Sequence, residues 1–378
     1  MLIHALHLRD YRNISSLYLE PSPGLNVITG ENAQGKTNML EAICYLGLIS
    51  SFRGAKDSEL VHFGAESAEI EARVESEERE KTMKIQIPAS GRRSVQINAV
   101  RVAKKADAAG TVRCVLFCPE DLSLVRQAPS VRRRFLDDAI SQLKPNYISY
   151  LSAYNQLLAN KSRILKDYHE NPALLDTLDD FSAQLCRYGA ALIPYRESFC
   201  EKLSQFARAE HEKISAGREE LGIEYKTVSN IDRKGLSQPE LYELLWQHYV
   251  SHRDAELASG SCLSGPHKDD LEITIDGRSA KTFASQGQTR TAVLSLKLAQ
   301  RELFKSYTGE YPILLFDDVL SELDTKRQEY VLSGTGRGQV FITACESKSC
   351  FMLDDMIRNN ENGAKLFHVK QGALIDEE

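Results

Sequence analysis

Alternation of hydrophobic and polar residues marks the beginning of the chain. The stretches Leu2 to Leu8 and Ile14 to Leu19 alternate in this way and predict two strands. The uninterrupted apolar run Leu25 to Thr29 is typical of a buried strand. From Thr37 to Leu48 the apolar residues recur at helical spacing, so we expect a helix after a short glycine-rich turn. Alternation returns between residues 66 and 117 and predicts a strand-rich lobe.

The middle of the chain, from about residue 125 to residue 250, has the longer periods of helices. Three proline-containing sites are expected to interrupt the helices: Lys144-Pro145-Asn146, Asn171-Pro172 and Pro194. Apolar residues follow a heptad spacing over only two heptads, at Leu178, Phe181, Leu185, Tyr188 and Leu192. Because a coiled coil needs three or four heptads, we expect a compact helical hairpin that packs on itself.

The last part of the chain returns to strands and helices. A linker of small residues, Ala258 to Ser261, precedes a strand from Leu271 to Ile275, and the dipeptide Asp276-Gly277 predicts a hairpin turn. A helix is expected from Gln288 to Ser306. Three further strands are predicted, the last of them at a sheet edge: Ile313 to Phe316, Val340 to Thr343 and Leu366 to Val369.

Composition places the chain among ordinary globular proteins. Of its 378 residues, 42% are hydrophobic and 26% are charged, and no segment reaches the roughly 18 apolar residues of a membrane helix. The amino terminus lacks the apolar core of a signal peptide, so we expect a cytoplasmic protein without a membrane partner. The eight cysteines show no CxxC spacing, which argues against zinc sites and disulfides. The formal net charge of −6 gives no overall attraction to nucleic acid.

The clearest chemical motif is GENAQGKT, which consists of Gly30, Glu31, Asn32, Ala33, Gln34, Gly35, Lys36 and Thr37. It matches the phosphate-binding pattern GxxxxGK[ST] and lies between a predicted strand and a predicted helix, as that pattern requires. In such a loop the backbone amides wrap around phosphates at the start of the helix. Lys36 would bridge β- and γ-phosphate oxygens, and the Thr37 hydroxyl would ligate magnesium. We therefore expect ATP and Mg²⁺ as ligands.

Two carboxylates follow the predicted strand that begins at Ile313. Asp317 is expected to hold the magnesium ion through water, and Asp318 to position or activate the water that attacks the γ-phosphate. Lys36 and Asp318 are thus the expected catalytic residues. Paired acids after a strand are often only a polar loop, and this pair gains weight from its combination with GENAQGKT.

A third motif, Ser285-Gln286-Gly287-Gln288, begins a predicted helix about 30 residues before the two aspartates. It resembles the signature motif of ABC-type ATPases, in which the serine hydroxyl and the glycine backbone bind the γ-phosphate held by the opposite subunit. The segment Ser321 to Asp324 resembles the D-loop of the same class. Ser285, Gly287 and Gln288 are therefore expected to complete the nucleotide site of a second copy of the chain.

Three further features have weaker signals. Arg12 and Asn13 follow the first strand, where related ATPase heads contact nucleotide, although a basic residue at a strand end is often mere surface. Thr343 ends the strand after the aspartates, where transporter ATPases have a switch histidine, although a threonine there is usually structural. The basic run Arg132-Arg133-Arg134 is the candidate for salt-sensitive contacts with DNA phosphates, although such runs are usually solvated surface.

The motifs and elements together predict an α/β protein, an ABC-type P-loop ATPase head with a strand-rich lobe and an inserted helical arm. The head would consist of residues 1–124, with GENAQGKT and the lobe, and residues 258–378, with the signature motif, the aspartates and the D-loop. Residues 125–257 would form the arm. Transporter ATPases have a shorter insertion, and chromosome-structuring ATPases have very long coiled coils.

Several sequence blocks beyond the general ATPase motifs resemble the RecF family of bacterial recombination mediators, and the resemblance covers the whole chain. The blocks are LRDYRN at 8–13, FCPEDL at 117–122, RRRFLD at 132–137 and GPHKDD at 265–270. The resemblance implies an ATP-dependent homodimer with slow, DNA-stimulated hydrolysis that recognises single-strand gaps near double-stranded junctions. It also implies cooperation with RecR and RecO in loading RecA.

The resemblance bears on three further residues. Asp318 replaces the glutamate of most ABC heads but agrees with RecF-like proteins, and its shorter side chain would suit slow hydrolysis. Glu120, in the FCPEDL block, is the expected substitute for the Q-loop glutamine of the wider class. His267, in the GPHKDD block, could sense nucleotide or DNA, but a histidine in a Gly-Pro turn is more often structural.

Two other functions remain open from the sequence. One is the nucleotide-binding subunit of an ABC transporter or another SMC-like ATPase, which the inserted arm and the Asp318 position argue against. The other is a structural protein that uses nucleotide only for folding, in which Lys36→Met would lower stability while DNA binding survived without nucleotide.

Overall fold

A computed structural model describes residues 1–77, 79–228, 235–334, 337–345, 351–358 and 363–375. Within them the strands are β1 (Leu2–Tyr11), β2 (Ile14–Leu19), β3 (Leu25–Thr29), β4 (Ser67–Ser76), β5 (Arg79–Pro88), β6 (Ser94–Ile97), β7 (Val100–Val102), β8 (Cys114–Phe117), β9 (Leu221–Lys226), β10 (Asp270–Ile275), β11 (Arg278–Ser279), β12 (Ile313–Asp317), β13 (Val340–Ala344), β14 (Lys365–Lys370) and β15 (Ala373–Ile375). The α-helices are α1 (Lys36–Leu48), α2 (Lys105–Ala108), α3 (Ser123–Arg126), α4 (Pro129–Leu143), α5 (Pro145–Asp167), α6 (Leu178–Ser215), α7 (Gln238–Ser259), α8 (Ala280–Phe283), α9 (Gln286–Thr308), α10 (Thr325–Ser333) and α11 (Phe351–Arg358).

The chain folds into two compact units. Unit 1 contains residues 1–122, 206–219 and 285–378, and unit 2 contains residues 123–205 and 220–284. This division differs from the one expected from the sequence, which assigned 206–219 to the arm and 258–284 to the head. The physical reason is that β10 pairs along its length with β9, a strand inside the expected helical arm, and this pairing keeps the later segment in unit 2.

A mostly parallel sheet in unit 1 carries the GENAQGKT loop and the two aspartates at the ends of its strands. Its strand order is β15-β14-β3-β13-β12-β8, and only β15 runs antiparallel to its neighbour. β12 is buried along its whole length, and β3 and β13 are buried except at their last residues. Because parallel strands end at the same edge of a sheet, the loops after β3, β12 and β13 meet there.

Two sequence expectations about this sheet were wrong. Residues 366–369 belong to β14, which pairs with β3 on one side and β15 on the other, so that the edge is β15 rather than β14. Residues 112–117, expected to close the strand-rich lobe, contain β8, which pairs parallel with β12 instead. Both depend on pairings between distant segments, which the local hydrophobic pattern does not encode.

A second sheet of unit 1 is antiparallel, with the order β2-β1-β4-β5-β6-β7. Buried positions alternate with mostly half-buried ones in β4, where Ile70, Ala72 and Val74 are buried. Their apolar face belongs to the same hydrophobic core as α1, whose Met39 and Ile43 have no exposed surface. The core therefore fixes α1, and with it the start of the helix after GENAQGKT.

Unit 2 is mainly helical. Tyr147 of α5 packs edge-on against Tyr195 of α6, and Ile164 packs in one cluster with Leu178, so the two helices run antiparallel as the expected hairpin. The break expected at Pro194 is absent, because α6 continues through this residue to Ser215. An internal proline costs a helix about 3 kcal/mol. The burial of the two preceding residues, Leu192 at 0% and Ile193 at 1% exposed, offsets that cost.

The remaining unit 2 strands form a small antiparallel sheet, β11-β10-β9. Asp276-Gly277 lies at the turn between β10 and β11, as expected, with Asp276 at φ 50° and Gly277 at φ 73°. No cysteine within the described residues forms a disulfide, and Cys350 lies outside those residues. No described helix is long and apolar enough to span a membrane.

Candidate nucleotide-binding site

The GENAQGKT loop connects β3 to α1 in a backbone conformation that requires glycine. Gly30 has φ 145°, and a Cβ atom there would lie 2.3 Å from the carbonyl oxygen of Val369. Gly35 has φ 115°, and its Cβ atom would lie 3.0 Å from Oδ1 of Asn13. The turn between β14 and β15 also anchors the loop, because the Gly372 amide donates to the carbonyl oxygen of Gln34 at 2.8 Å.

The Lys36 side chain lies along this loop. Its Nζ atom donates to the carbonyl oxygens of Gly30 and Glu31, at 2.5 and 2.7 Å, and the residue is only 8% exposed. Both contacts tie the ammonium group across the loop at the first turn of α1. The charge is therefore held where the backbone amides of the loop and the positive end of the helix dipole can bind phosphate.

The start of α1 and the end of β13 both contact the carboxylate at the end of β12. The hydroxyl groups of Thr37 and Thr343 donate to the same Oδ1 atom of Asp317, at 2.8 and 2.9 Å. Burial raises the pKa of the Asp317 carboxyl, while these two hydrogen bonds and the nearby Arg53 guanidinium lower it. Glu120, exposed on a 3₁₀ turn after β8, adds to the increase, and its role as a Q-loop substitute stays a prediction.

The oxygen donors at this point suit a magnesium ion. A hydroxyl and a carboxylate, from Thr37 and Asp317, lie side by side, and Mg²⁺ prefers hard oxygen ligands and keeps waters and substrate phosphates in its remaining positions. No cluster of three or more His, Cys, Asp or Glu side chains that could hold a metal occurs among the described residues. Thr37 and Asp317 would supply only two protein ligands, and phosphates and waters would complete such a site.

Asp318 lies next to this carboxylate in a strained conformation. Its φ is 50°, a left-handed value that is uncommon for a residue with a side chain. Its amide donates to the Thr343 hydroxyl at 2.9 Å. Thr343 thus contacts both aspartates, and the sequence underestimated its role because a strand-end threonine carries no local signal.

A cavity of about 330 Å³ connects these groups. It is lined by Asn13, Asn32, Ala33, Gln34, Gly35, Lys36, Thr37, Asn38, Arg53, Asp318 and Thr343. Arg53 was not expected from the sequence. Its guanidinium donates to Oδ1 of Asn38 at 3.3 Å, and Asn38 in turn donates to Asn13 at 2.8 Å. A lone arginine in a loop after a helix has no pattern by which sequence reasoning could have found it.

Arg12 and Asn13 have different surroundings in the structure. Asn13 lines the cavity, whereas the Arg12 guanidinium makes a bidentate contact with Glu41, at 3.0 and 2.9 Å, and also donates to the Glu59 carbonyl oxygen. Glu41 has no exposed surface, so this ion pair fastens the end of β1 to α1. A nucleotide contact by Arg12 stays a prediction.

The SQGQ motif lies at the amino end of α9. Ser285 is the N-cap residue: its Oγ accepts from the Gln288 amide at 3.2 Å, and the Ser285 amide donates to Oε1 of Gln288 at 2.9 Å. Because Oγ acts as an acceptor here, its own proton is left to donate elsewhere. None of these residues lines the cavity described above, so the fold does not bring them to the GENAQGKT loop of the same chain.

The three arginines of the basic run at 132–134 have different surroundings in unit 2. Arg132 is 3% exposed and forms a bidentate ion pair with Asp270, at 2.7 and 2.8 Å. Arg133 donates to the carbonyl oxygen of Asp269 at 2.6 Å, and burial lowers its pKa. Arg134 has a half-exposed side chain, 3.6 Å from Asp138. The burial of Arg132 is incompatible with the expected phosphate contact, which stays a prediction for the other two arginines.

The His267 ring is hydrogen-bonded on both sides, as its place in a Gly-Pro turn favours, and a role in sensing nucleotide or DNA stays untested. Its Nδ1 accepts a hydrogen bond of 2.6 Å from the Tyr154 hydroxyl, and its Nε2 donates to the Cys262 carbonyl oxygen at 3.2 Å. Burial lowers the pKa of His267 to about 4, so the ring is neutral at pH 7. Both ring nitrogens are engaged within unit 2.

A parallel sheet that carries GENAQGKT after one strand and Asp317 at the end of another defines an ABC-type P-loop ATPase head. The sequence profile of the RecF/RecN/SMC N-terminal domain family matches residues 2–366. The chain is 36% identical over 374 residues to the DNA replication and repair protein RecF of Clostridium perfringens strain 13, and 38% identical to that of Clostridium novyi, with 99% of each chain covered. It belongs to the RecF family.

Solved structures agree with this assignment. A structure of the recombination mediator protein RecF with ATP, in the RecFOR pathway, matches with a TM-score of 0.84 at 33% identity, over 99% of this chain and 98% of that one. A second RecF structure, described as RecF-ATPrS, matches with a TM-score of 0.89 over 99% and 97% of the two chains. An Smc head bound to the winged-helix domain of ScpA, at 17% identity and a TM-score of 0.54, shares the fold.

Proposed function

We propose that this chain is an ATP-dependent DNA-binding protein of recombinational repair that dimerises when it binds ATP. The observation that carries the proposal is the contact of Thr37 with Asp317, because it joins the phosphate-binding loop to the magnesium-binding strand end. Support for DNA repair comes from the family, whose members named above are DNA replication and repair proteins.

The chain's own residues would bind the triphosphate in defined roles. Lys36 would exchange its contacts with two loop carbonyl groups for β- and γ-phosphate oxygens, while the loop amides and the start of α1 bind the remaining charge. Thr37 and Asp317 are the residues that would hold Mg²⁺, directly and through water. When bound, the ion would neutralise the charge that develops on the phosphate oxygens.

Hydrolysis would depend on Asp318 and Thr343. Asp318 lines the cavity and would orient the attacking water, while Thr343 holds the Asp318 backbone through its amide. An aspartate reaches one methylene less far than the glutamate of most ABC heads. We therefore propose weak hydrolysis, in which turnover resets a dimerisation switch instead of driving a motor.

The second half of each site would come from a partner copy. Ser285 and Gly287 lie at an exposed helix start and do not reach the cavity of their own chain, although in ABC-type ATPases such a motif binds γ-phosphate. A homodimer with two nucleotides between its subunits accounts for both facts. The dimer would bind double-stranded DNA at single-strand gaps and cooperate with RecR and RecO in loading RecA.

Light scattering tests the dimer directly. We expect the mass of the wild-type chain to double with ATP and Mg²⁺, and the Ser285→Arg variant to remain a monomer because its side chain blocks the partner's phosphate. Lys281→Arg, a change at an exposed position on α8, is the matched control and should dimerise normally. A wild-type chain that stays monomeric at saturating ATP contradicts the shared-site mechanism.

Binding to gapped DNA tests the repair function. We expect the ATP-bound wild-type protein to bind a gapped duplex, with an affinity that falls as salt rises, and Lys36→Met to lose this binding. If Lys36→Met binds gapped DNA as well as the wild type does, nucleotide serves folding alone. If the ATP-bound wild type binds no DNA, the mediator function is wrong.

A further inference from the structure

One arginine links the signature turn to the segment that follows the aspartates. The Arg327 guanidinium, on α10, donates to the Thr291 hydroxyl from Nε at 3.0 Å and from a terminal nitrogen at 2.6 Å. It also donates to the Gly287 carbonyl oxygen at 3.2 Å. Its other terminal nitrogen donates to the Asp324 carboxylate, at the end of the D-loop segment. Thr291 is 2% exposed, so its contact with the guanidinium is shielded from water, whereas the Asp324 side chain is 57% exposed.

The contact with Gly287 fixes the position of the Ser285 hydroxyl. The Gly287 carbonyl group and the Gln288 amide belong to one planar peptide unit, so a donor that holds the oxygen also sets the direction of the N–H. That amide donates to Ser285 Oγ at 3.2 Å. Thr291 reinforces the arrangement by donating its own hydroxyl proton to the Gly287 oxygen at 3.0 Å.

The other end of the network leads back to the hydrolytic site. Ser321, at the start of the D-loop segment, donates its hydroxyl to the carbonyl oxygen of Asp318 at 2.9 Å. Asp324 closes the segment by capping α10, where its carboxylate accepts from the Arg327 amide at 3.0 Å. An exposed ion pair at 2.9 Å between Arg290 of α9 and Glu322 also links the two segments. Exposed ion pairs contribute little to stability.

We propose that Arg327 is a positioning residue that couples the backbone after Asp318 to the Ser285 hydroxyl of the same chain. The inference rests on the proposed function, in which Asp318 acts on the chain's own nucleotide and Ser285 acts on the partner's. A change at one nucleotide site would then alter how well the same subunit completes the other site. The two sites of a dimer would respond to ATP cooperatively.

Arg327→Gln tests the coupling, because glutamine keeps a polar group of similar reach but removes the charge and the fork of donors. Lys326→Gln is the matched control: it lies one residue earlier on α10, is exposed, and loses the same charge. We expect Arg327→Gln to bind fluorescent ATP as a monomer within about twofold of the wild type. The ATP concentration for half-maximal dimerisation should rise roughly tenfold, as expected for the loss of a charge-assisted hydrogen bond.

Cooperativity separates coupling from a merely structural role. The Hill coefficient of hydrolysis against ATP should exceed 1 for the wild type and for Lys326→Gln and should be lower for Arg327→Gln, when all are measured at a protein concentration high enough for dimerisation. Thr291→Val removes only the hydroxyl link and should shift dimerisation in the same direction by a smaller factor. The double variant should be no worse than Arg327→Gln, because both changes break one network.

Each result of these variant experiments either supports the proposed coupling or overturns it. It is overturned if Arg327→Gln dimerises at the wild-type ATP concentration, or if the effects of the two changes add fully. If Arg327→Gln does not fold, an unchanged dimerisation curve for Thr291→Val overturns it instead. A wild-type chain that fails to dimerise contradicts the proposed function, which is a different result from a normal dimer in the variants.

Discussion

The Thr343 hydroxyl donates to Oδ1 of Asp317 at 2.9 Å and accepts from the Asp318 amide, so one side chain holds both acids. The sheet order explains the contact. β13, which ends next to Thr343, lies between β3, which leads into GENAQGKT, and β12, which ends at Asp317. Because the three strands are parallel neighbours, their carboxyl ends bring loop, hydroxyl and carboxylate together.

Replacement of Thr343 by valine tests this arrangement. The change keeps the shape but removes the donor to Asp317 and the acceptor for the Asp318 amide. We expect single-turnover ATP hydrolysis to slow by roughly tenfold or more, because the water-orienting aspartate loses its support. The ATP affinity, measured with a fluorescent analogue, should change by only a few-fold because the GENAQGKT loop is intact.

The control for this variant is Thr82→Val, on β5 of the antiparallel sheet. It should hydrolyse ATP at the wild-type rate. Equal rates for Thr343→Val and the wild type would show that Thr343 does not support the hydrolytic site.

Arg53 is the positive group at the cavity wall that the sequence did not reveal. Its guanidinium opposes the rise that burial gives to the pKa of Asp317, the carboxylate proposed to hold magnesium. We expect Arg53→Gln to weaken ATP binding about tenfold in low salt, and less in high salt, where screening reduces the contribution of an exposed charge. Arg92→Gln, exposed in the loop between β5 and β6, should bind normally. An unchanged affinity for Arg53→Gln at both salt concentrations would remove it from the site.

Replacement by alanine should have opposite effects on stability at Gly30 and at Gly287. Gly30→Ala places a Cβ atom 2.3 Å from the Val369 carbonyl oxygen at a φ of 145°, and should lower the free energy of unfolding by at least about 2 kcal/mol. Around Gly287 the nearest atoms to such a Cβ lie at 3.8 and 4.0 Å. Gly287→Ala should therefore keep wild-type stability or gain up to about 1 kcal/mol, as an alanine in a helix does.

Urea unfolding of the nucleotide-free variants measures both effects. Gly287→Ala should nevertheless dimerise less with ATP, because its methyl group would face the partner's phosphate. Comparable stability losses in the two variants would contradict the assigned backbone conformations.

His267 should make stability depend on pH. Its folded pKa of about 4 lies below the ordinary histidine pKa of 6.5, so below pH 6.5 the unfolded chain binds a proton that the folded chain does not. The contribution of His267 to the free energy of unfolding is fully present above pH 6.5. It decreases by up to about 3 kcal/mol as the pH falls toward 4. Lys268, Arg133 and Lys161 act in the same direction on the ring, and Tyr154 stays neutral because burial raises its pKa.

Urea unfolding at several pH values from 4 to 8 checks this dependence. His267→Gln should lose less stability between pH 6.5 and 4 than the wild type, since the amide does not titrate. Parallel curves for the two proteins would mean that His267 is not buried as a neutral ring.

The sequence predicted those features whose signals are local. Apolar runs predicted β3, β12 and β13, and helical spacing predicted α1 and α9, each within a few residues. GENAQGKT could be recognised because its glycines are dictated by backbone geometry within eight consecutive residues. Ser285 could be recognised because four consecutive residues resemble the signature motif and stand shortly before the two aspartates.

Only the tertiary structure decided the features that depend on distant partners. β9 joins β10 across more than 40 residues, which moves 258–284 into unit 2, and β14 lies inside its sheet because β15 folds back on it. In the sequence Arg132 belongs to a basic run typical of a protein surface, yet its side chain is buried and forms an ion pair with Asp270. Pairing, burial and convergence at a strand end are determined by three-dimensional neighbours, and neither periodicity nor composition along the chain specifies which neighbours those are.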